Sequence, residues 1–210
     1  MLHSRNHTAS RFGTLTGVDE RLLDAAVAVL EEHGYAGLTL ERVADQVGRS
    51  RVTLWRQLVT QEALIDGLLA RLTRDYRDAM WPAMTETGAG ATRLRIALAA
   101  LCDVADRHLH LLAVSDDVFH RAADRMLDVT GQRFSFLDPF IGAVRAGIAD
   151  GSLTTGGTAP EEMADVVFNS VCWGYVHLRH RHGWASDRAR EPLLAVTLTG
   201  LAPTSVAPSP

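Results

Sequence analysis

Three arginines lie close together in the chain at Arg49, Arg51 and Arg56, and residues 48–60 contain no aspartate or glutamate. A guanidinium can donate two parallel hydrogen bonds to guanine, or it can neutralise a phosphate and release condensed counterions. Val52 and the methyl group of Thr53 stand between these arginines and could contact a thymine methyl. Charge clusters are more often only solvated faces, so the interpretation as a DNA-binding surface depends on the elements that present the arginines.

Two short helices around a glycine turn are predicted to present these side chains. Thr39 has the hydroxyl to cap the first helix and Ser50 to cap the second, and Gly48 stands where a helix end favours positive φ. In the second helix, Leu54 and Leu58 are spaced i, i+4 and are expected to pack on the first helix. This order is typical of a helix-turn-helix, whose second helix lies in the major groove.

A preceding amphipathic helix, Val18 to His33, completes a predicted three-helix DNA-binding domain over residues 18–65. Residues 1–17 are polar and are interpreted as a disordered arm, or as one that reaches the minor groove. Thr60 caps a fourth helix that is expected to end or kink at Trp81-Pro82.

The composition excludes several classes of enzyme. All 21 basic residues are arginine, so a Walker A lysine or a Schiff-base lysine is impossible. Motifs of the form G-x-S-x-G, H-E-x-x-H and paired C-x-x-C do not occur. We therefore predict that the chain is not an enzyme and that it needs no cofactor. The lack of an apolar run near 18 residues and of a signal-peptide core predicts no membrane association and a cytoplasmic location.

The remaining helical patterns predict an all-α protein with a larger second domain over residues 66–201 and a disordered tail at 202–210. This domain contains the apolar residues for an effector pocket, although such residues are more often core. A helix broken near Pro139 is where a ligand could enter. The candidate pocket residues are Trp81, Met84, Leu101, Cys102, Leu112, Phe119, Phe134, Phe136, Phe140 and Trp173.

The stretch from Asp19-Glu-Arg-Leu-Leu-Asp-Ala-Ala through His33-Gly-Tyr35 to Trp55-Arg-Gln-Leu58 and Thr60-Gln-Glu-Ala-Leu64 resembles the TetR-type bacterial transcriptional regulators. The resemblance implies a homodimer that binds double-stranded operator DNA and is released by a small effector. It implies base contacts by Arg51, Val52, Thr53 and Arg56, and phosphate contacts by Thr39, Trp55, Gln57 and Gln61. Ser50, as the cap, and Arg49 complete the candidate DNA-binding set. Three positions differ from the family pattern. Arg49 stands where the family mostly has a small apolar residue, Gln61 where it has a lysine, and Leu58 where it commonly has an aromatic residue.

The resemblance also implies that the last two helices, residues 161–182 and 186–201, form the dimer interface. Their apolar faces are broad, and the sequence does not divide them between the interface and the interior. The candidate interface residues are Phe168, Val171, Gly174, Tyr175, Leu194 and Leu198.

Three alternatives compete with this interpretation. His177 and His180, spaced i, i+3, could ligate a metal, but histidines at a helix C-terminus also complement the dipole, and no metal site is predicted. Oxidation of Cys102 or Cys172 could be the signal, but both thiols lie in apolar patterns. A small helical enzyme or carrier would lack a nucleophile–base pair. His108 and His110 are expected at the surface.

Overall fold

The computed structural model describes residues 18–114 and 136–203, and in these ranges all regular elements are helices. Frequent alanine and leucine and few β-branched runs favour this outcome. The all-α prediction is confirmed. The helices are α1 (Glu20–Gly37), α2 (Leu40–Gln46), α3 (Arg51–Arg56), α4 (Gln61–Thr85), α5 (Gly90–Arg107), α6 (Leu109–Leu112), α7 (Asp138–Asp150), α8 (Pro160–Val176) with a π-helix (His177–Arg181) directly after it, and α9 (Ser186–Gly200).

The chain divides into two units, residues 1–70 and residues 71–210. Helix α4 begins in the first unit and ends in the second, so the boundary falls within a continuous helix. The sequence placed the boundary at residue 65.

The first unit has a core drawn from all four of its helices. Its fully buried residues include Leu22 of α1, Val43 of α2, Leu54 of α3 and Leu64 of α4. A Cβ at Gly67 would lie 2.8 Å from a methyl carbon of Leu23, so α4 packs against α1 at a distance that a larger residue would not permit.

The second unit is built around α5, which packs against α7, α8 and α9. A Cβ at Gly90 would lie 2.0 Å from the backbone nitrogen of Gly147, so the first turn of α5 closely approaches α7. The last residue of α7 and the turn that follows it accept hydrogen bonds from two free N–H groups of that first turn. The N–H of Gly90 donates to Asp150 Oδ2 (2.8 Å) and the N–H of Ala91 donates to Ser152 Oγ (3.0 Å).

The prediction that the fourth helix ends at Trp81-Pro82 was wrong. Helix α4 continues past Pro82 to Thr85, because Met80 and Ala83 are buried on one face and the Thr85 hydroxyl donates to the Trp81 carbonyl at 2.9 Å. The predicted break near Pro139 agrees with the start of α7 at Asp138, since Pro139 lies in the first turn of that helix, where the missing N–H costs no helical hydrogen bond.

The prediction that His108 lies at the surface was also wrong. His108 is buried between α5 and α6, and its Nε2 lies 2.9 Å from Asp75 Oδ2 of α4. Burial lowers the pKa of His108, although the Asp75 carboxylate acts in the opposite direction. The partner is 33 residues away in the chain, so no local pattern could have indicated it.

Within the described ranges, none of the helices combines the length and the hydropathy that crossing a membrane requires.

Candidate nucleic-acid interface

The turn between α2 and α3 forms as the sequence predicted. Gly48 has a φ of 66°, and the N–H of Arg49 donates to the Ala44 carbonyl while the N–H of Gly48 donates to that of Asp45. These two bonds form a Schellman motif, which ends α2 and redirects the chain. Ser50 Oγ then accepts from the N–H of Thr53 at 3.1 Å and starts α3. The Thr39 hydroxyl caps α2 in the same way, through the N–H of Arg42 at 3.4 Å.

The end of α3 differs from the prediction. Leu58 does not pack on α2; it lies beyond the helix with a φ of 59° and a 71% exposed side chain. A second Schellman motif explains the difference, because the N–H of Val59 donates to the Leu54 carbonyl and the N–H of Leu58 to that of Trp55. The following residue, Val59, takes the core position that the i, i+4 spacing had assigned to Leu58.

Helix α3 therefore has one buried side chain and five exposed ones. Leu54 is 0% exposed, whereas Trp55 is 71% exposed. The remaining exposed residues of the helix are those the sequence proposed for base contacts: Arg51, Val52, Thr53 and Arg56. Exposed valine and tryptophan next to arginine form a surface of mixed apolar and cationic character, as contacts to base edges and phosphates require.

Two of the three arginines have acidic partners within the unit. Arg51 Nη1 lies 2.6 Å from Glu41 Oε1 of α2, and both side chains are exposed. Arg49 Nη2 donates to Asp19 Oδ2, the N-cap of α1, at 3.2 Å. Partial burial would raise the pKa of Asp19, but the hydrogen bond from the N–H of Leu22 and the Arg49 guanidinium outweigh it and hold that pKa below its ordinary value.

These pairs give Arg49 and Arg51 partners within the unit, and the DNA contacts expected of them stay predictions. Arg49 connects the turn to the start of α1, so the structure supplies a role for this arginine that does not involve DNA. Arg51 is held by an exposed ion pair, which is weak enough to exchange for a stronger partner. Gln57 is exposed at the C-cap of α3, and Gln61 is half-buried in the first turn of α4.

Sequence reasoning missed two residues of this surface, Glu41 and Leu58. Glu41 is ten positions before Arg51, and the turn geometry brings the two together. Leu58 ends the helix with a positive φ, which leucine rarely adopts, so its residue type gave no signal.

The predicted pocket residues separate into buried and exposed groups. Leu101, Cys102, Leu112 and Phe140 are buried in the second unit. Phe136 and Trp173 are half-buried, and the ring of Phe136 meets that of Tyr76 edge-on at 4.8 Å. Trp81 and Met84 are 64% and 51% exposed, so they do not belong to this apolar interior. Phe119 and Phe134 lie outside the described residues. The pocket itself stays a prediction.

The residues predicted for the dimer interface also divide into buried and half-buried groups. Val171 and Tyr175 are fully buried within the single chain, and Leu194 is nearly so, so the prediction was wrong for these three. Their faces of α8 and α9 point into the unit; the Tyr175 hydroxyl, for example, contacts Asp106 and Ser186 oxygens at 3.2 and 2.8 Å. Gly174 admits the side chain of Leu193, so it serves packing between α8 and α9. Phe168 and Leu198 are half-buried.

Both cysteines are free and buried. Burial raises the pKa of the Cys102 thiol to about 12 and that of the Cys172 thiol to about 12. Reactive cysteines have lowered pKa values and access to solvent, so this placement does not support the alternative in which oxidation is the signal.

Comparison with known proteins supports the interpretation of the first unit as a helix-turn-helix domain. Residues 22–68 match the family described as "Bacterial regulatory proteins, tetR family". The tetracycline repressor protein class D of Escherichia coli is 32% identical over 68 residues, which are 32% of this chain and 31% of that protein. The class H repressor of Photobacterium damsela subsp. piscicida gives the same values. The aligned stretch thus spans about a third of each of these relatives.

Solved structures match over most of the chain and show the fold. The fatty acid degradation regulator FadR from Bacillus halodurans has a TM-score of 0.66 at 17% identity, covering 86% of this chain and 94% of that one. The ketosteroid transcriptional regulator KstR2 of Mycobacterium tuberculosis has a TM-score of 0.60 at 21% identity, covering 93% and 96%. The arrangement of an N-terminal helix-turn-helix followed by a larger helical unit is therefore shared with these structures.

Proposed function

We propose that this chain is a ligand-responsive transcriptional regulator of the tetR type that binds operator DNA, on the ground that residues 22–68 match that family. The observation that carries the proposal is the orientation of α3. Its single buried residue, Leu54, anchors the helix, while Arg51, Thr53 and Arg56 are exposed together. A helix held in this way can enter the major groove, where arginine and threonine distinguish base pairs.

The proposed form is a homodimer that acts as a repressor in the cytoplasm. Two recognition helices about 34–36 Å apart are needed to read a palindromic operator. Val166 of α8 and Val196 of α9 are large exposed apolar side chains on the two last helices. They support a contact between two copies that is centred on Val166 and Val196, not on the residues that the sequence indicated. Phe168 and Leu198, two positions further along the chain, are half-buried.

The proposed effector is small and mostly apolar. The second unit has an apolar interior that includes Leu101, Leu112 and Phe140, and its chemistry suits a ligand with few polar groups. The names of two structural neighbours, a fatty acid degradation regulator and a ketosteroid regulator, describe those proteins and support testing acyl and steroid ligands here. Because α4 is continuous between the units, a ligand that displaces it would change the affinity for DNA by linkage.

The test is selection of duplexes from a random-sequence library, followed by fluorescence anisotropy on the selected site. Replacing Arg51 or Arg56 with alanine is expected to weaken binding by roughly 5- to 150-fold, the equivalent of about 1–3 kcal/mol for a base contact. Arg95→Ala, at an exposed position of α5 in the second unit, is the matched control and should bind as the wild type does. Folded Arg51→Ala and Arg56→Ala proteins with unchanged affinity would contradict the proposal.

A ligand panel tests the effector class separately. Acyl and steroid compounds that release the wild-type protein from the selected duplex, and that raise its unfolding temperature, would identify the class. Release by polar compounds alone would contradict an apolar effector and leave the DNA-binding proposal intact.

A further inference from the structure

The π-helix after α8 brings together two histidines that an α-helix would keep apart. The N–H of His182 donates to the carbonyl of His177 at 3.3 Å, the i to i+5 bond that defines this geometry. In an α-helix, residues five apart are separated by about 140° around the axis, since each residue turns about 100°. Here the Nε2 atoms of His177 and His182 are 3.1 Å apart.

The two Nε2 atoms form a hydrogen bond with each other, and a metal ion bound by both nitrogens would replace the shared proton. The ring centroids are 4.8 Å apart, with 70° between the ring planes. Two nitrogens that share a metal at about 2.1 Å are about 2.9–3.4 Å apart for bond angles between about 90° and about 109°. The observed spacing lies in this range.

The surroundings allow a cation to approach. Both histidines are exposed. The guanidinium of Arg179, in the same segment, is directed away to Asp106, whose Oδ1 lies 2.6 Å from Arg179 Nε, so a carboxylate offsets its charge. The side chain of Arg181 is exposed and its charge is screened by solvent. His180 lies apart from the pair, with its ring 5.9 Å from that of His110 of α6.

We propose that His177 and His182 form a binding site for one divalent transition-metal ion of the Cu²⁺, Ni²⁺ or Zn²⁺ class. Imidazole nitrogen suits these ions, whereas Mg²⁺ and Ca²⁺ prefer oxygen. Within the described ranges no group of three or more histidine, cysteine or acidic side chains could hold a metal. The site is therefore an open one, with two protein nitrogens and the other positions filled by water. It is not the pair, His177 and His180, that spacing in the sequence indicated.

The site is tested on the full chain with every purification tag removed, because a histidine tag would bind the same ions. Titration with Cu²⁺ should show one equivalent bound, and its paramagnetic resonance spectrum should show coupling to two imidazole nitrogens. His177→Gln and His182→Gln should each lower the affinity at least about tenfold, since loss of even an outer-shell partner costs that much. Ni²⁺ should raise the unfolding temperature of the wild type but not of these variants.

His180→Gln is the matched control, an exposed histidine from the same segment. It should keep the affinity, the stoichiometry and the two-nitrogen spectrum. The proposal is overturned if His180→Gln loses binding as the other two variants do, or if the His177→Gln, His182→Gln double variant binds Cu²⁺ as tightly as the wild type. Far-ultraviolet circular dichroism of each variant shows that its helices are retained.

Discussion

In the proposed complex with DNA, Arg51 exchanges one partner for another. In the free protein its guanidinium contacts Glu41, and both groups are exposed to solvent. An exposed pair of this kind contributes little to stability. Because Glu41 is an acid beside the surface that would face phosphates, its charge should oppose the proposed DNA binding.

Replacing Glu41 with glutamine should therefore strengthen DNA binding. The ion pair is worth about 0.2–1 kcal/mol at an exposed position, so the affinity should rise about 1.5- to 5-fold. Anisotropy at several salt concentrations measures this, with Glu31→Gln, an exposed acid of α1, as the control. Weaker binding by Glu41→Gln would show that the pair holds Arg51 in its binding conformation.

The two thiols should be inert in the native protein. With the pKa of Cys102 and that of Cys172 each raised to about 12 by burial, the thiolate is scarce at neutral pH. Ellman's reagent is expected to react slowly with native protein and to titrate both thiols at once in guanidinium. Diamide should leave the DNA affinity unchanged. Fast reaction of one thiol in the native state would restore the oxidation-sensing alternative.

At the scale of the elements, the helix starts were readable from sequence and the helix ends were less so. Caps act within a few residues, and Thr39, Ser50 and Thr60 each accept the expected backbone N–H. The end of α3 depends instead on whether Leu58 adopts a positive φ, which leucine rarely does. Burial of Val59 favours the positive φ of Leu58, because the turn at Leu58 directs the Val59 side chain into the core.

Leu54 and Leu58, four residues apart, should respond in opposite ways to substitution. Leu54→Ala removes a fully buried side chain and should lower the free energy of unfolding by about 2–5 kcal/mol. Leu58→Gly relieves a left-handed backbone conformation and should raise that free energy by up to about 1 kcal/mol. Urea denaturation measures both. A Leu58→Gly protein as unstable as Leu54→Ala would mean that Leu58 belongs to the core.

At the scale of the whole molecule, periodicity predicted that α8 and α9 carry apolar residues but not which neighbour they face. Val171 and Tyr175 pack within the chain, and the apolar residues left outside are Val166 and Val196. Two apolar faces on one helix look alike in sequence, because a protein core and an interface between copies select the same residue types. For the same reason, the sequence predicted that Trp81 and Met84 line the effector pocket, although both side chains are exposed.

The outward face of α9 should hold the proposed dimer together. Val196 is 74% exposed, so Val196→Asp can leave the single chain folded while placing a charge in the interface. Light scattering after size-exclusion chromatography should show a shift to monomer and a loss of operator affinity. Ile148→Asp, at an exposed site on α7, is the control. A dimer retained by Val196→Asp would place the interface elsewhere.

The most direct test of the account is a double-mutant cycle between Arg51 and the selected operator. Each base pair of the site is substituted in turn, and binding of the wild type and of Arg51→Ala is compared. We predict one position in each half-site where substitution costs the wild type about 1–3 kcal/mol and costs Arg51→Ala almost nothing. Identical substitution profiles for the two proteins would contradict the claim that α3 reads the DNA sequence through its exposed face.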